Sequence, residues 1–206
     1  MSGARQVVTR APHRRVGYIA CPWFQTTPIE YESLLERDFV RLALLDLQNA
    51  AIGFQPFIIN LGEKFGNYVP DFLLKRKDRD AVIEVKPSVY ASGDPHRERL
   101  RHATEVVADK GYDFIVATEE FIRDDRRHDR AGILLRHARS HLPLEVTVRT
   151  LAIASDYPSG IPIGNLAAMA GVPSSTVLHL IGRRQLRIDP SLYMDDSQLV
   201  YPLERQ

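Results

Sequence analysis

Two short strings carry the residue types that chemistry needs. Pro70-Asp71 is followed, after 12 intervening residues, by Glu84-Val85-Lys86. Side chains alternate sides along a strand, so Glu84 and Lys86 share one face and Val85 takes the other. If Asp71 opens a neighbouring strand, two carboxylates and an ammonium group meet in one place. Two hard oxygen donors with open water positions suit Mg²⁺, with Mn²⁺ as a substitute. The expected metal ligands are Asp71, Glu84 and the main-chain carbonyl of Val85. A divalent ion there would neutralise phosphate charge and acidify a water, and Lys86 would orient or help deprotonate that water. This is the equipment of phosphodiester hydrolysis. Gln55, in Phe54-Gln55-Pro56, either reaches the same place to hold a water or phosphate or is a polar residue on an exposed strand face. Other chemistries lack support. His96 and His102 lie six apart, off helical ligand spacing, and the sequence has no CxxC, P-loop or GxSxG.

The elements that must position these residues can be read from periodicity. A helix fits about 29–48, with Tyr31, Leu35, Phe39, Val40, Leu42, Ala43 and Leu47 in one apolar arc and Arg37, Arg41 and Gln48 pointing away. Glu36 falls inside the apolar arc, so either the helix edge reaches solvent there or a cation meets the carboxylate. Strands follow at 53–59, 68–74 and 81–86, the last two separated by the charged turn KRKDRD. A helix at 95–110 ends at Gly111, a strand fits 113–118, and another helix fits 130–141. This order predicts an α/β fold, helices packed on a mixed sheet. Residues 144–154 read equally as strand or helix. Helices at 163–170 and 174–181, with Gly171 between them, have helix-turn-helix spacing, and LRID and LVYPL could pair as a wing. The expected divisions are an irregular basic segment 1–28, a catalytic domain 29–142 and a winged helix-turn-helix-like domain 143–206.

Composition sets the class. The chain has 206 residues, 44% hydrophobic and 26% charged, as in ordinary globular proteins. No apolar run approaches a bilayer span, so no membrane partner is expected. Cys21 stands alone, which excludes an intrachain disulfide and fits a reducing cytoplasm. Net charge is only +1, yet basic residues cluster at 10–15, 76–79, 96–102, 123–130 and 183–187. Such clusters serve as phosphate contacts or as solvated faces. Arg97, Arg99, Arg101, Arg183 and Arg184 are the candidate DNA-binding residues.

The stretches YESLLERDFVRLALL, GFQPF, YVPDFLL and IEVKP, in that order, resemble the TnsA endonuclease subunit of heteromeric cut-and-paste transposases, within the PD-(D/E)xK nucleases. The similarity spans roughly residues 15–120. It implies a restriction-endonuclease-like fold. Glu36 matches the helical catalytic glutamate, Asp71 the metal-binding aspartate, Glu84 the second metal-ligand position and Lys86 the catalytic lysine. It further implies hydrolysis of the non-transferred strand at transposon ends during excision, with a DDE-type transposase and an AAA+ regulator as partners. Rival expectations are a stand-alone phage or defence nuclease on the same fold and a non-catalytic DNA-binding adaptor. The second helix of the tail offers Ser175, Thr176, His179 and Arg183 either to DNA or to a protein surface.

Overall fold

The computed structural model describes residues 15–91 and 94–204, so the basic positions 10–14 lie outside the described residues. The chain divides into two compact units, one ending at Asp124 and the other beginning at Asp125.

The first unit opens with a strand pair, β1 (Gly17–Ile19) antiparallel to β2 (Ile29–Tyr31). Helix α1 (Leu34–Leu45) leads to β3 (Asn49–Phe54), the short pair β4 (Ile59–Asn60) and β5 (Asn67–Tyr68), then β6 (Phe72–Arg76) and β7 (Ala81–Val85). Helices α2 (Ser88–Ala91) and α3 (Asp94–Asp109) precede β8 (Asp113–Ala117) and α4 (Glu119–Ile122). The main sheet has the order β3-β6-β7-β8, antiparallel except for β7 beside β8. Parallel neighbours need a crossover connection, and α2 and α3 form it.

Alternation along the strands fixes which helix covers which face. Leu73 and Val82 cluster with Tyr68, Ala103 and Val107, so α3 lies over that face. Phe72 belongs to the other face and stacks on Phe39 of α1 with ring centroids 5.6 Å apart. This is the mixed sheet flanked by helices that the sequence predicts.

Local chemistry moves some boundaries. The first helix begins at Leu34, not Ile29, because Ser33 caps it, its hydroxyl accepting the Glu36 N–H at 3.1 Å. The Glu36 carboxylate reaches back to the Glu32 N–H at 2.7 Å, close to a capping box. Residues 29–31 then join β1, so part of the expected irregular 1–28 segment is paired strand. The expected strand 53–59 breaks at Gln55, whose φ is +40°, before Pro56. The expected strand 68–74 splits in two around Pro70, which cannot donate to a ladder.

A buried ionic knot ties α1 to the end of α4. Asp38 is 1% exposed. Its Oδ1 accepts from Arg37 at 3.0 and 2.7 Å and from Arg41 at 3.4 Å, and its Oδ2 accepts from Arg123 at 3.1 and 3.0 Å. Arg37 and Arg41 therefore turn along the helix onto Asp38 instead of pointing away.

The second unit contains α5 (Arg127–His137), α6 (Leu144–Ser155), β9 (Ile161–Pro162), α7 (Ile163–Ala170), α8 (Ser174–Gly182), β10 (Leu186–Ile188) and β11 (Leu199–Pro202). The undecided stretch 144–154 is helix, and β11 lies between β10 and β9 in a three-stranded antiparallel sheet. Gly171, at φ +63°, ends α7 in the left-handed conformation a side chain would resist. The unit begins before the expected division at 142/143 because α5 packs on α8. At Gly182 an added Cβ would lie 2.3 Å from the Leu134 carbonyl oxygen and 2.9 Å from the Ala138 Cβ, so the two helices approach backbone to backbone.

Candidate active site

Strand register brings the two sequence strings together. Phe72 pairs with Ile83, and one further step sets Asp71 opposite Glu84. The Gln55 N–H donates to the Asp71 carbonyl at 2.8 Å, so β3 and β6 stay joined just past the strand end. The Val85 N–H donates to Asp71 Oδ2 at 2.7 Å, while the other carboxylate oxygen takes no hydrogen bond from the described residues. A strand residue directs its N–H and C=O to the same side, so the Val85 carbonyl points to the edge where Asp71 sits.

Glu84 is 7% exposed, and its two oxygens are held from different directions. Lys86 Nζ lies 3.1 Å from Oε1, as alternation along the strand requires. The Tyr68 hydroxyl donates to Oε2 at 2.5 Å. Glu36 is 8% exposed, so the helix edge does not reach solvent at its place in the apolar arc. Its carboxylate accepts the main-chain N–H of Glu32. Gln55 Nε2 donates to Glu32 Oε1 at 3.3 Å, leaving Gln55 Oε1 buried with no hydrogen-bond partner among the described residues.

This crowding of carboxylates has an electrostatic consequence. Burial, then the neighbouring Glu84 and Glu36, push the Asp71 carboxyl up to about 8. Burial chiefly raises Glu36 as well, against the lowering effect of the Glu32 N–H and Ser33. Burial and Glu84 raise the Tyr68 phenol, which keeps its proton as a donor. Charges so placed are stabilised by an added cation. The donor set is two carboxylates and one main-chain carbonyl, which fits Mg²⁺ in its usual mode of few protein ligands. Among the described residues no group of three or more His, Cys, Asp and Glu side chains is arranged to hold a metal ion.

The candidate DNA-binding arginines fare differently from one another. Arg97 is exposed on α3. Arg101 is 66% exposed and ion-paired with Glu105. Arg99 turns inward, lying 5.4 Å over the Tyr68 ring and donating to the Asn67 carbonyl at 2.9 Å. Arg183 donates through Nε to the Ala138 carbonyl at 2.6 Å, and Arg184 is half-buried at φ +61°. On α8, Thr176 and His179 are buried, His179 against Ser140 and the His137 carbonyl, so Ser175 alone of the four candidates is fully exposed. A helix packed against α5, α7 and β10 has little polar surface left over.

Sequence reasoning missed Tyr68 and Asp38. Tyr68 read as the apolar start of a strand, and only the rule that a buried phenol seeks a partner could have marked it. Asp38 is unremarkable until Arg123 arrives from 85 residues away.

Residues 48–119 match the family model described as TnsA-like endonuclease N terminal. That span contains Gln55, Asp71, Glu84, Val85 and Lys86, and it excludes Glu36 and the second unit. No curated protein matches the chain. The match supports a nuclease domain related to transposase subunits, and the mixed sheet flanked by helices is consistent with a restriction-endonuclease-like fold. No helix among the described residues is long and apolar enough to cross a membrane.

Proposed function

From a TnsA-like endonuclease domain as premise, we propose that the chain is the Mg²⁺-dependent nuclease subunit of a heteromeric transposase. It hydrolyses the non-transferred DNA strand at transposon ends during excision. One observation carries the reading: Asp71 and Glu84 lie side by side on adjoining strands, buried, with Lys86 on Glu84.

A bound Mg²⁺ supplies charge neutralisation at the phosphate and lowers the pKa of a water. Asp71, Glu84 and the Val85 carbonyl would hold it. The Val85 N–H keeps Asp71 aimed, and Glu84 keeps the orientation set by its two partners. Lys86 is 26% exposed, so its ammonium beside Glu84 also reaches solvent. That ammonium orients the attacking water and meets the charge growing on phosphorus-bound oxygen. Glu36 lies within the field of Asp71 and Glu84 and adds to the negative potential that draws a cation. Gln55 Oε1, without a hydrogen-bond partner among the described residues, would be available to accept from a water at the site.

The second unit acts as a protein-contact module of winged helix-turn-helix type. The inward-facing polar residues of α8 and the acidic β10–β11 connection, with Asp189, Asp195 and Asp196, disfavour contact with phosphates. The partners are a DDE-type transposase and an AAA+ regulator, acting in the cytoplasm.

The test is cleavage of a transposon-end duplex by the chain with its transposase partner in Mg²⁺ or Mn²⁺. Cutting of the non-transferred strand should require Asp71, Glu84 and Lys86. Retained cutting by Asp71→Ala ends the nuclease reading at this site. Strong cleavage of plain duplex by the chain alone reassigns it as a stand-alone nuclease.

A further inference from the structure

Glu84 sits on a strand that is buried on both faces, so its orientation depends on the donors it meets. Lys86 is one of them, but a long side chain that must also serve the water is a poor permanent anchor. Tyr68 differs in kind. It is 5% exposed, belongs to the core cluster with Leu73, Val82, Ala103 and Val107, and packs against Phe114 with ring centroids 6.3 Å apart. Its ring is held along one further side by Arg99, 5.4 Å from the centroid, and the same guanidinium binds the carbonyl of Asn67, the preceding residue. A phenol so fixed presents its hydroxyl to Glu84 Oε2 at one location only.

We propose that Tyr68 is a positioning residue for the cation site. Its hydroxyl anchors Glu84 by one oxygen so that the other faces the ion and Lys86, and Arg99 clamps Tyr68 from α3. The proposal rests on the metal-dependent reading given above. It assigns Arg99 a place behind the site, where the sequence suggested a DNA contact. Partners that orient metal ligands are often worth about 10–100-fold in metal affinity.

The experiment is titration calorimetry of the full chain with Mn²⁺ alone, with a melting curve of each metal-free variant as the folding control. Tyr68→Phe keeps the ring and removes one oxygen, and Mn²⁺ binding should weaken by about 10–100-fold. A double-mutant cycle with Glu84→Gln separates positioning from general structure. If Tyr68 acts through Glu84, Tyr68→Phe weakens binding no further once Glu84 is Gln. Wild-type affinity in Tyr68→Phe, or an equal loss in both backgrounds, overturns the proposal. Should Tyr68→Phe not fold, Arg99→Gln is read the same way: a loss of Mn²⁺ affinity with the fold intact supports the clamp, and unchanged affinity overturns it. If the wild type itself shows no Asp71-dependent Mn²⁺ binding, the metal-dependent reading fails and takes this role with it. Wild-type binding that Tyr68→Phe leaves intact removes this role alone.

Discussion

Two buried acidic places in the first unit are built on opposite plans. Asp38 is 1% exposed and receives three guanidiniums, more positive charge than it needs. Asp71 and Glu84 receive one ammonium, one phenol and one main-chain N–H between them, and they raise each other's cost with Glu36 nearby. Burying an ionised carboxylate is costly unless it is paired. At Asp38 the protein meets that demand from its own sequence, and the result is a tie between α1 and α4. At Asp71 it leaves the demand partly unmet, and the deficit is what a cation from solution would fill. Local rules that break inside a well-packed domain mark function more often than error.

Substitutions can break or sharpen this contrast. The largest effect belongs to Asp71→Ala, which should reduce cleavage of the transposon-end duplex by about 10³-fold or more, measured by single-turnover nicking. The folded structure should survive it, since removing that carboxylate relieves repulsion. Asp38→Ala should do the reverse. It should cost about 2–3 kcal/mol in urea unfolding, below the usual figure for breaking a buried pair because the arginines reach water, while Mn²⁺ affinity stays as in the wild type. If Asp38→Ala instead abolished Mn²⁺ binding with the fold intact, the division between a structural and a functional acid would collapse.

Acidity gives a third test. Asp71 titrates near 8 in the folded chain, above its ordinary 3.8, so its contribution to stability is full below about 4 and is lost as pH rises through 8. The metal-free protein should therefore lose stability across that window relative to Asp71→Asn, in which the slope is removed. Mn²⁺ affinity should climb over the same range as the proton leaves. Parallel melting profiles for the two proteins would show that Asp71 is not the strained acid. The smallest effect is expected from Arg123→Gln, about 0.5–1 kcal/mol, because Arg37 and Arg41 remain on Asp38 and Arg123 is 43% exposed.

Much of the fold was legible in the sequence. Period-two alternation placed Lys86 beside Glu84, and the helices expected at 163–170 and 174–181 match α7 and α8 to within a residue. Gly171 ends the first, although Ser174 bonds Asp196 and does not cap the second. Short pieces were harder. Strand β2 hid at the front of a helical pattern because Tyr31 continues the apolar arc, and the cap at Ser33 decides where the helix starts. The pairing of α5 with α8 depends on a close approach at Gly182, which no periodicity reports. Not every basic residue of the clusters is free to meet a partner. Sequence counts charges, whereas Arg99, Arg123 and Arg183 each meet internal acceptors supplied from far along the chain.

Val85 has a consequence for variation. What secures Asp71 at that position is a peptide group, shared by every amino acid except proline. A mutational scan of residue 85 would read as ordinary tolerance for apolar strand formers, and its importance would go unseen. Only an edit to the chain itself, an amide-to-ester replacement that deletes this one donor, would expose how much of the site is written in backbone.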